Sequence, residues 1–322
     1  MADRIVVLDG YTLNPGDLTW EPVEALGELT VHDRTADADI LARAAGATCL
    51  MTNKTPLDAD TLAALPDLRY IGVLATGYNV VEIDAARARN IPVTNIPTYG
   101  TDSVAQHAAA LMLEHARGVA VHNQAVHDGE WTRNADWCFA RQPIFELAGK
   151  TLGIVGIGRI GIALARIGAA LGMRLVAHDL YWPDAERLGG LDVQQMELDQ
   201  LFREADVISL HCPLTPENEN LVDSARLATM KSNTLIINTS RGPLIDNQAL
   251  ASALHAGQIG GAALDVLDVE PPPADNPLLS APNCILTPHI AWYAAESRSR
   301  LMQIAADNLK AFQDGNAANV VN

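Results

Sequence analysis

Basic residues are scarce in this chain: 22 lysines and arginines stand against 39 aspartates and glutamates, giving a formal charge of −17. Nucleic-acid binding normally needs a basic face, so this balance argues against that class. A small anionic ligand is not excluded, because one arginine can dominate a concave site. Cysteine is sparse too. Cys49, Cys138, Cys212 and Cys284 show no CxxC spacing and no ligand cluster nearby. Neither a disulfide framework nor a metal site is expected, and the thiols fit a reducing compartment as small apolar fillers. Long hydrophobic runs are missing as well. The first apolar run, Ile5-Val6-Val7-Leu8, is closed by Asp9 and is too short for a membrane span or a signal-peptide core. The expectation is a cytoplasmic protein with no membrane or nucleic-acid partner. There is no low-complexity tract and no short-period repeat. What is present is apolar content: 48% of 322 residues are hydrophobic and 19% charged, enough for two domains, each with its own core.

The first hundred residues alternate β-rich and helical segments. Ile5–Leu8, Thr30–His32, Thr48–Thr52, Tyr70–Leu74 and Val93–Asn95 read as strands. Glu21–Leu26, Asp37–Ala44, Asp58–Leu65 and Glu82–Asn90 read as the helices between them. Such alternation predicts a parallel sheet. Thr101-Asp102-Ser103 then offers capping side chains ahead of an apolar-periodic run from Val104 to His115. A second α/β series runs from Gly149 to His289, and Ala294–Phe312 is helical with no strand after it.

Thr151-Leu152-Gly153-Ile154-Val155 is a compact strand leading directly into Gly156-Ile157-Gly158-Arg159-Ile160-Gly161 and a helical run. In this pattern the first glycine permits a tight turn, the second lets the backbone approach a pyrophosphate, and the third lets helix and strand pack closely. The helix start supplies N–H groups and a positive dipole end to the phosphates. The next strand, Arg174–His178, ends in Asp179, at the expected distance of about 20 residues. An acid there accepts from a ribose 2′-hydroxyl and repels a 2′-phosphate. With no arginine in Leu180-Tyr181-Trp182, NAD is expected rather than NADP.

Three further segments place a reactive side chain after an apolar strand. Thr234–Asn238 runs into Ser240-Arg241-Gly242, Ala262–Val266 runs towards Glu270-Pro271, and Cys284–Thr287 runs into Pro288-His289. Strand carboxyl ends share one edge in an open parallel sheet, and ligands bind in the crevice outside it. Hydride transfer to a ketone needs a positioned proton donor, and histidine titrates near neutrality. His289 is the best placed of nine histidines. Glu270, which alone would read as a loop-surface acid, could bind the far ring nitrogen, fix its tautomer and favour the imidazolium. Arg241 offers a fork of donors matched to a carboxylate, with a surface or interdomain ion pair as the alternative. Asp265 stays ambiguous: it either shapes the nicotinamide environment or caps its strand. In Leu74-Ala75-Thr76-Gly77-Tyr78, small residues after a strand expose backbone N–H groups that can nest a carboxylate. An ordinary strand-to-helix turn is the other reading.

With these residues in view, the sequence resembles the NAD-dependent D-isomer-specific 2-hydroxyacid dehydrogenases over essentially its whole length. The matching stretches are Gly77-Tyr78-Asn79 through Asp84, Gly156–Gly161, Asn238–Gly242, Asp265-Val266 leading to Glu270-Pro271, and Thr287–Ala291. The resemblance implies two doubly wound parallel-sheet α/β domains. A flavodoxin-like substrate domain would comprise residues 1–98 and 294–322, and a Rossmann NAD-binding domain residues 99–293. It implies catalytic roles for Arg241, Glu270 and His289. Substrate contacts are implied at Ala75, Thr76, Gly77, Arg241 and His289. Cofactor contacts are implied at Thr101, Gly156, Gly158, Arg159, Ile160, Gly161, Asp179, Pro213, Thr239, Asp265, His289 and Ala291. Such enzymes commonly pair through their cofactor domains, so a homodimer is expected, with the apolar helix after Thr101 as one contributor.

Within the family, Val73–Asn79, Asp136–Phe139 and His289–Trp292 resemble the glycerate dehydrogenases, also called hydroxypyruvate reductases. Glu270 stands where related formate dehydrogenases carry glutamine, which disfavours that chemistry. The expected reaction is reduction of a small 2-oxo acid by NADH, hydroxypyruvate first and glyoxylate next. Two rivals remain. One is a reductase of bulkier 2-oxo acids, against which Tyr78, Trp137, Phe139 and Trp292 could narrow the pocket. The other is an NADH-sensing scaffold like the corepressors that resemble this family.

Overall fold

A computed structural model describes residues 2–322 of the chain. Strands β1 (Arg4–Val7), β2 (Glu28–Val31), β3 (Cys49–Thr52), β4 (Tyr70–Val73) and β5 (Val93–Thr94) form one sheet in the order β2-β1-β3-β4-β5. Every neighbouring pair is parallel. All residues of β3 and β4 are buried, as expected where helices cover both faces and the strand reads as a continuous apolar run. The order reverses between β1 and β3, where Asp9 follows β1. Its carboxylate accepts from the backbone N–H groups of Asn53 (2.7 Å), Lys54 (2.5 Å) and Thr55 (2.8 Å), so it holds the turn after β3. The helices between these strands are shorter than the sequence pattern suggests. Asp37–Ala44 divides into a 3₁₀ turn, Asp37–Asp39, and a helix, Ile40–Ala44, while Glu82–Asn90 reduces to Ile83–Ala88. The C-terminal helix, Ala295–Gln313, places Leu301, Met302, Ala305, Ala306 and Leu309 in one cluster with Ile5, Val7, Met51 and Tyr70.

The second sheet has seven parallel strands: β6 (Thr151–Val155), β7 (Arg174–His178), β8 (Val193–Gln195), β9 (Val207–Leu210), β10 (Leu235–Asn238), β11 (Gly261–Leu264) and β12 (Cys284–Leu286). They run β12-β11-β10-β9-β6-β7-β8, so the order reverses between β6 and β9. In such a sheet the crevice at the switch point takes the ligand.

The chain separates into two compact units, Met1–Gly100 with Trp292–Asn322, and Thr101–Ala291. The crossings fall two residues from the expected boundaries, because Thr101 already belongs to the helix Thr101–Arg117 and Trp292 packs with the first unit's aromatic residues. Two expectations for that helix need correction. Thr101 and Ser103 do not stand ahead of it as caps; both are helical, and the Ser103 hydroxyl donates to the Ala291 carbonyl instead (2.6 Å). Nor does its apolar face remain open for a partner. Ala105, Ala108, Leu111, Met112 and Ala116 are buried with Leu152, Ile154, Ile237 and Ala263 of their own sheet.

Candidate active site

The turn after β6 has the geometry its glycines permit. Gly156 has φ +96°, and a Cβ there would stand 2.5 Å from the Cys212 nitrogen. At Gly161 it would stand 2.3 Å from the Gly156 oxygen, so strand and helix touch through this residue. A Cβ on Gly158 would meet no atom within 4 Å, which leaves its backbone open to a ligand. Gly158 is the N-cap of the helix Arg159–Ala170, whose first turn carries exposed Arg159 and half-buried Ile160. Asp179, just beyond β7, accepts from Ile157 N–H through Oδ2 (2.8 Å) and from Tyr181 N–H through Oδ1 (2.9 Å). It therefore ties down the glycine turn itself, and each oxygen keeps a second lone pair for a ribose hydroxyl. Thr239, directly after β10, has a buried Oγ1 with no hydrogen-bond partner among the described residues. Buried hydroxyls nearly always have one, so a ligand group is its natural partner. An open glycine, a helix N-terminus, an acid after the second strand and an orphaned hydroxyl together fit a bound dinucleotide.

The remaining cofactor candidates lie around this edge with different freedoms. Thr101 is half-buried at the start of its helix, and Pro213 is exposed with its carbonyl accepting from Asn218 Nδ2 (2.7 Å). Ala291 is buried, with its N–H given to Asp265 and its carbonyl taken by Ser103. Cys212 is a filler rather than a nucleophile, its thiol pushed up to about 11 by burial.

Next to it, His211 directly follows β9 with Nε2 2.8 Å from Ser209 Oγ, and burial brings its pKa down to about 4. The unfolded chain binds this proton near pH 6.5, before the folded protein does. The stability tied to neutral His211 is therefore complete above pH 6.5 and drains away as pH falls from there towards 4. We expect His211→Gln to flatten that acid limb. Melting temperatures of parent and variant, measured from pH 4 to 8, should converge at the acid end; parallel curves would refute the assignment.

The second unit also brings Arg241, Glu270 and His289 to one sheet edge. Arg241 leaves β10 in extended conformation, its carbonyl held by Asn238 Nδ2 (2.8 Å). At Gly242 a Cβ would stand 1.8 Å from the Leu267 oxygen, so only glycine allows the Arg241 segment to lie against the loop after β11. In that loop Leu267 N–H donates to Glu270 Oε1 (3.1 Å), and Glu270 Oε2 lies 2.5 Å from His289 Nδ1. Contact thus runs unbroken from the guanidinium segment to the imidazole. The ring is about one-third exposed, as is its glutamate partner. His289 has φ +55°, a left-handed conformation that costs a residue with a Cβ about 1–2 kcal/mol. Its N–H is shared between the carbonyls of Asp265 (2.8 Å) and Thr287 (3.0 Å).

Asp265 has a structural role beyond its two sequence readings. It is 1% exposed, and its carboxylate accepts from the Thr287 hydroxyl (2.6 Å), Ile290 N–H (2.9 Å) and Ala291 N–H (2.8 Å). It holds the loop that carries His289. Sequence reasoning also passed over His107, whose Nε2 lies 3.0 Å from Thr287 Oγ1. Only its four-residue spacing from Ser103 in the sequence hinted that both face one way.

In the first unit, the turn after β4 is pinned by its side chains and carbonyls. Thr76 Oγ1 donates to the Ile96 carbonyl (2.7 Å), while the Ala75 and Thr76 carbonyls accept from Ile96 N–H (3.0 Å) and Asn95 Nδ2 (2.8 Å). Among the described residues the N–H groups of Thr76 and Gly77 donate to no acceptor. Of the aromatic residues expected to narrow a pocket, Trp292 packs edge-on against Tyr99 and Tyr293, and Trp137 is 86% exposed.

The family model for the D-isomer specific 2-hydroxyacid dehydrogenase NAD binding domain matches residues 109–291. A hydroxypyruvate reductase from Blautia hydrogenotrophica is 52% identical to the chain, with 99% of each covered. A glycerate dehydrogenase from Methylorubrum extorquens is 39% identical over all of this chain and 99% of its own length. Among solved structures, a D-lactate dehydrogenase from Escherichia coli matches with a TM-score of 0.85 at 32% identity, over 99% of this chain and the whole of that one. A dinucleotide cradle and an imidazole–carboxylate pair on one sheet edge are what such likeness requires, and this chain belongs to the D-isomer specific 2-hydroxyacid dehydrogenase family as an NAD-dependent oxidoreductase.

Proposed function

We propose that this dehydrogenase reduces hydroxypyruvate to D-glycerate and takes glyoxylate as a second substrate. The observation that carries the reading is the pair made by His289 Nδ1 and Glu270 Oε2 at 2.5 Å, beside the segment bearing Arg241. Its likeness to a hydroxypyruvate reductase at 52% identity supports the substrate. Bound NADH supplies the hydride to the carbonyl carbon. The His289 imidazolium gives its Nε2 proton to the carbonyl oxygen as charge grows there, and is reprotonated from solvent. Glu270 holds Nδ1 and so orients the ring. Arg241 grips the carboxylate with its guanidinium fork. The reading also gives the Ala75–Gly77 turn an anion-binding role through its backbone N–H groups. Gly156, Gly158, Arg159, Ile160, Gly161 and Asp179 are assigned to the dinucleotide, with Thr101, Pro213, Thr239, Asp265, His289 and Ala291 around it.

NADH and NADPH, each tested against hydroxypyruvate, glyoxylate, pyruvate and phenylpyruvate, should rank hydroxypyruvate with NADH first by kcat/KM. Phenylpyruvate in first place would overturn the substrate assignment. Glu270→Ala removes the oxygen that holds His289 Nδ1, so kcat should fall by about 10- to 100-fold as the ring loses its orientation. An unchanged kcat would remove Glu270 from the mechanism.

The same reading makes the enzyme a homodimer. Val119 (65% exposed), Trp131 (53%) and Trp137 lie in the segment after the Thr101–Arg117 helix, and large exposed apolar side chains of this kind favour a protein interface. Light scattering on the purified protein should give twice the chain mass. Four free cysteines support a reducing, cytoplasmic setting.

A further inference from the structure

His289 stands at the centre of a short loop, Thr287–Ala291, whose two ends are gripped by one helix. Ser103 Oγ donates to the Ala291 carbonyl at 2.6 Å. One turn further along, His107 Nε2 lies 3.0 Å from Thr287 Oγ1. The direction of this second bond follows from proton counting. A threonine hydroxyl has one hydrogen, and Thr287 gives it to Asp265 Oδ1 at 2.6 Å. Only the lone pairs of Thr287 Oγ1 remain, so His107 must carry its proton on Nε2 and donate. The same nitrogen stands 3.5 Å from Asp265 Oδ1, adding a donor near a carboxylate that is almost wholly buried.

The loop needs such support. His289 is in the left-handed region, and this conformation persists only where the surroundings over-determine it. Asp265 holds the loop from the β11 side through the N–H groups of Ile290 and Ala291. Ser103 and His107, four residues apart on one helix, hold it at its two ends. We propose that Ser103 and His107 are positioning residues for the reaction: they clamp the two ends of the Thr287–Ala291 loop and so keep the His289 ring on Glu270. Neither acts on the substrate. The proposal rests on the functional reading above for its kinetic consequence, and on geometry alone for its structural one.

His107→Ala removes the donor, while His107→Gln places an amide Nε2 donor at similar reach. The alanine variant should lose about 10- to 100-fold in kcat, the scale set by roughly ångström misplacement of a reacting group. Its KM for NADH should stay within about twofold, and the glutamine variant should recover most of the loss. The imidazole resonances of His289, recorded without substrate or cofactor, should be a single set in the parent and broaden or split in His107→Ala. Ser103→Ala should give a smaller loss. Added to His107→Ala, it should cost less than the product of the two single losses, because both hold one loop. Unchanged kcat in His107→Ala, or unchanged His289 resonances, overturns the proposal. So does a kcat loss that glutamine fails to restore. If His107→Ala melts too low to assay, Ser103→Ala and His107→Gln decide by the same two readouts. A parent inactive on every 2-oxo acid would sink the functional reading, while the resonances would still decide the positioning role.

Discussion

Replacing His289 by asparagine should lower kcat for hydroxypyruvate reduction by about 10²- to 10⁴-fold, the usual worth of a positioned general acid. That is roughly 3–5 kcal/mol of barrier. Asparagine is the informative choice because His289 has φ +55°. Of the residues with a Cβ, asparagine enters the left-handed region most readily, so the loop survives the exchange. Alanine would add backbone strain to the loss of the proton donor and confuse the two. The amide cannot give up a proton near neutrality, so the remaining activity should lose the pH dependence the parent shows. NADH binding should hardly change, since the contacts proposed for the dinucleotide lie mainly in the turn after β6 and at the end of β7. Fluorescence titration with NADH, a melting curve and kcat from pH 5 to 9 make the check. A variant that keeps kcat within about threefold of the parent, with the same pH profile, would dismiss His289 as the acid.

Much of this arrangement is written locally in the chain. The inner strands of the first sheet are short, mostly apolar runs because both faces are covered, and a run such as Tyr70–Val73 is buried at every position. The glycine turn after β6 is legible because Gly156 and Gly161 answer steric demands that no other residue meets, while Gly158 leaves the backbone open. Other features depend on contacts that no window of sequence contains. The edge strand Val193–Gln195 carries two polar residues and has no alternation long enough to register. The helix Val119–His127 buries only Ala125, so its apolar residues follow no clear stripe. Asp265 is surrounded in sequence by apolar residues, yet its partners are Thr287, Ile290 and Ala291, more than twenty positions away. His107 sits in a helix whose apolar period explains its neighbours, and its own partner is Thr287, 180 residues on. The candidate reactive residues follow from chemistry at strand ends. Those that hold them in place emerge only when the chain is folded.

Arg241→Ala should cost about 10²- to 10³-fold in kcat/KM, from a higher KM and a lower kcat together. A hydrogen bond to a charged group contributes about 1.5–3 kcal/mol, and a guanidinium fork gives a carboxylate two at once. The split between the two constants carries the mechanistic content. A group that only attracts an anion would raise KM and leave kcat alone. One that also fixes the angle of the 2-oxo group must lower kcat, because misorientation is felt in the transition state. Folding should be spared. The side chain is exposed, its Nη1 donates to the carbonyl of its own neighbour Ser240 (2.7 Å), and the backbone there is held by Asn238 and the close packing of Gly242 on Leu267. Arg241→Lys then separates charge from shape. Lysine restores the positive charge without the planar fork, so it should recover KM more fully than kcat. If both variants match the parent in kcat while KM alone rises, Arg241 is an electrostatic attractor and some other group orients the substrate. If neither constant moves, the carboxylate is held elsewhere.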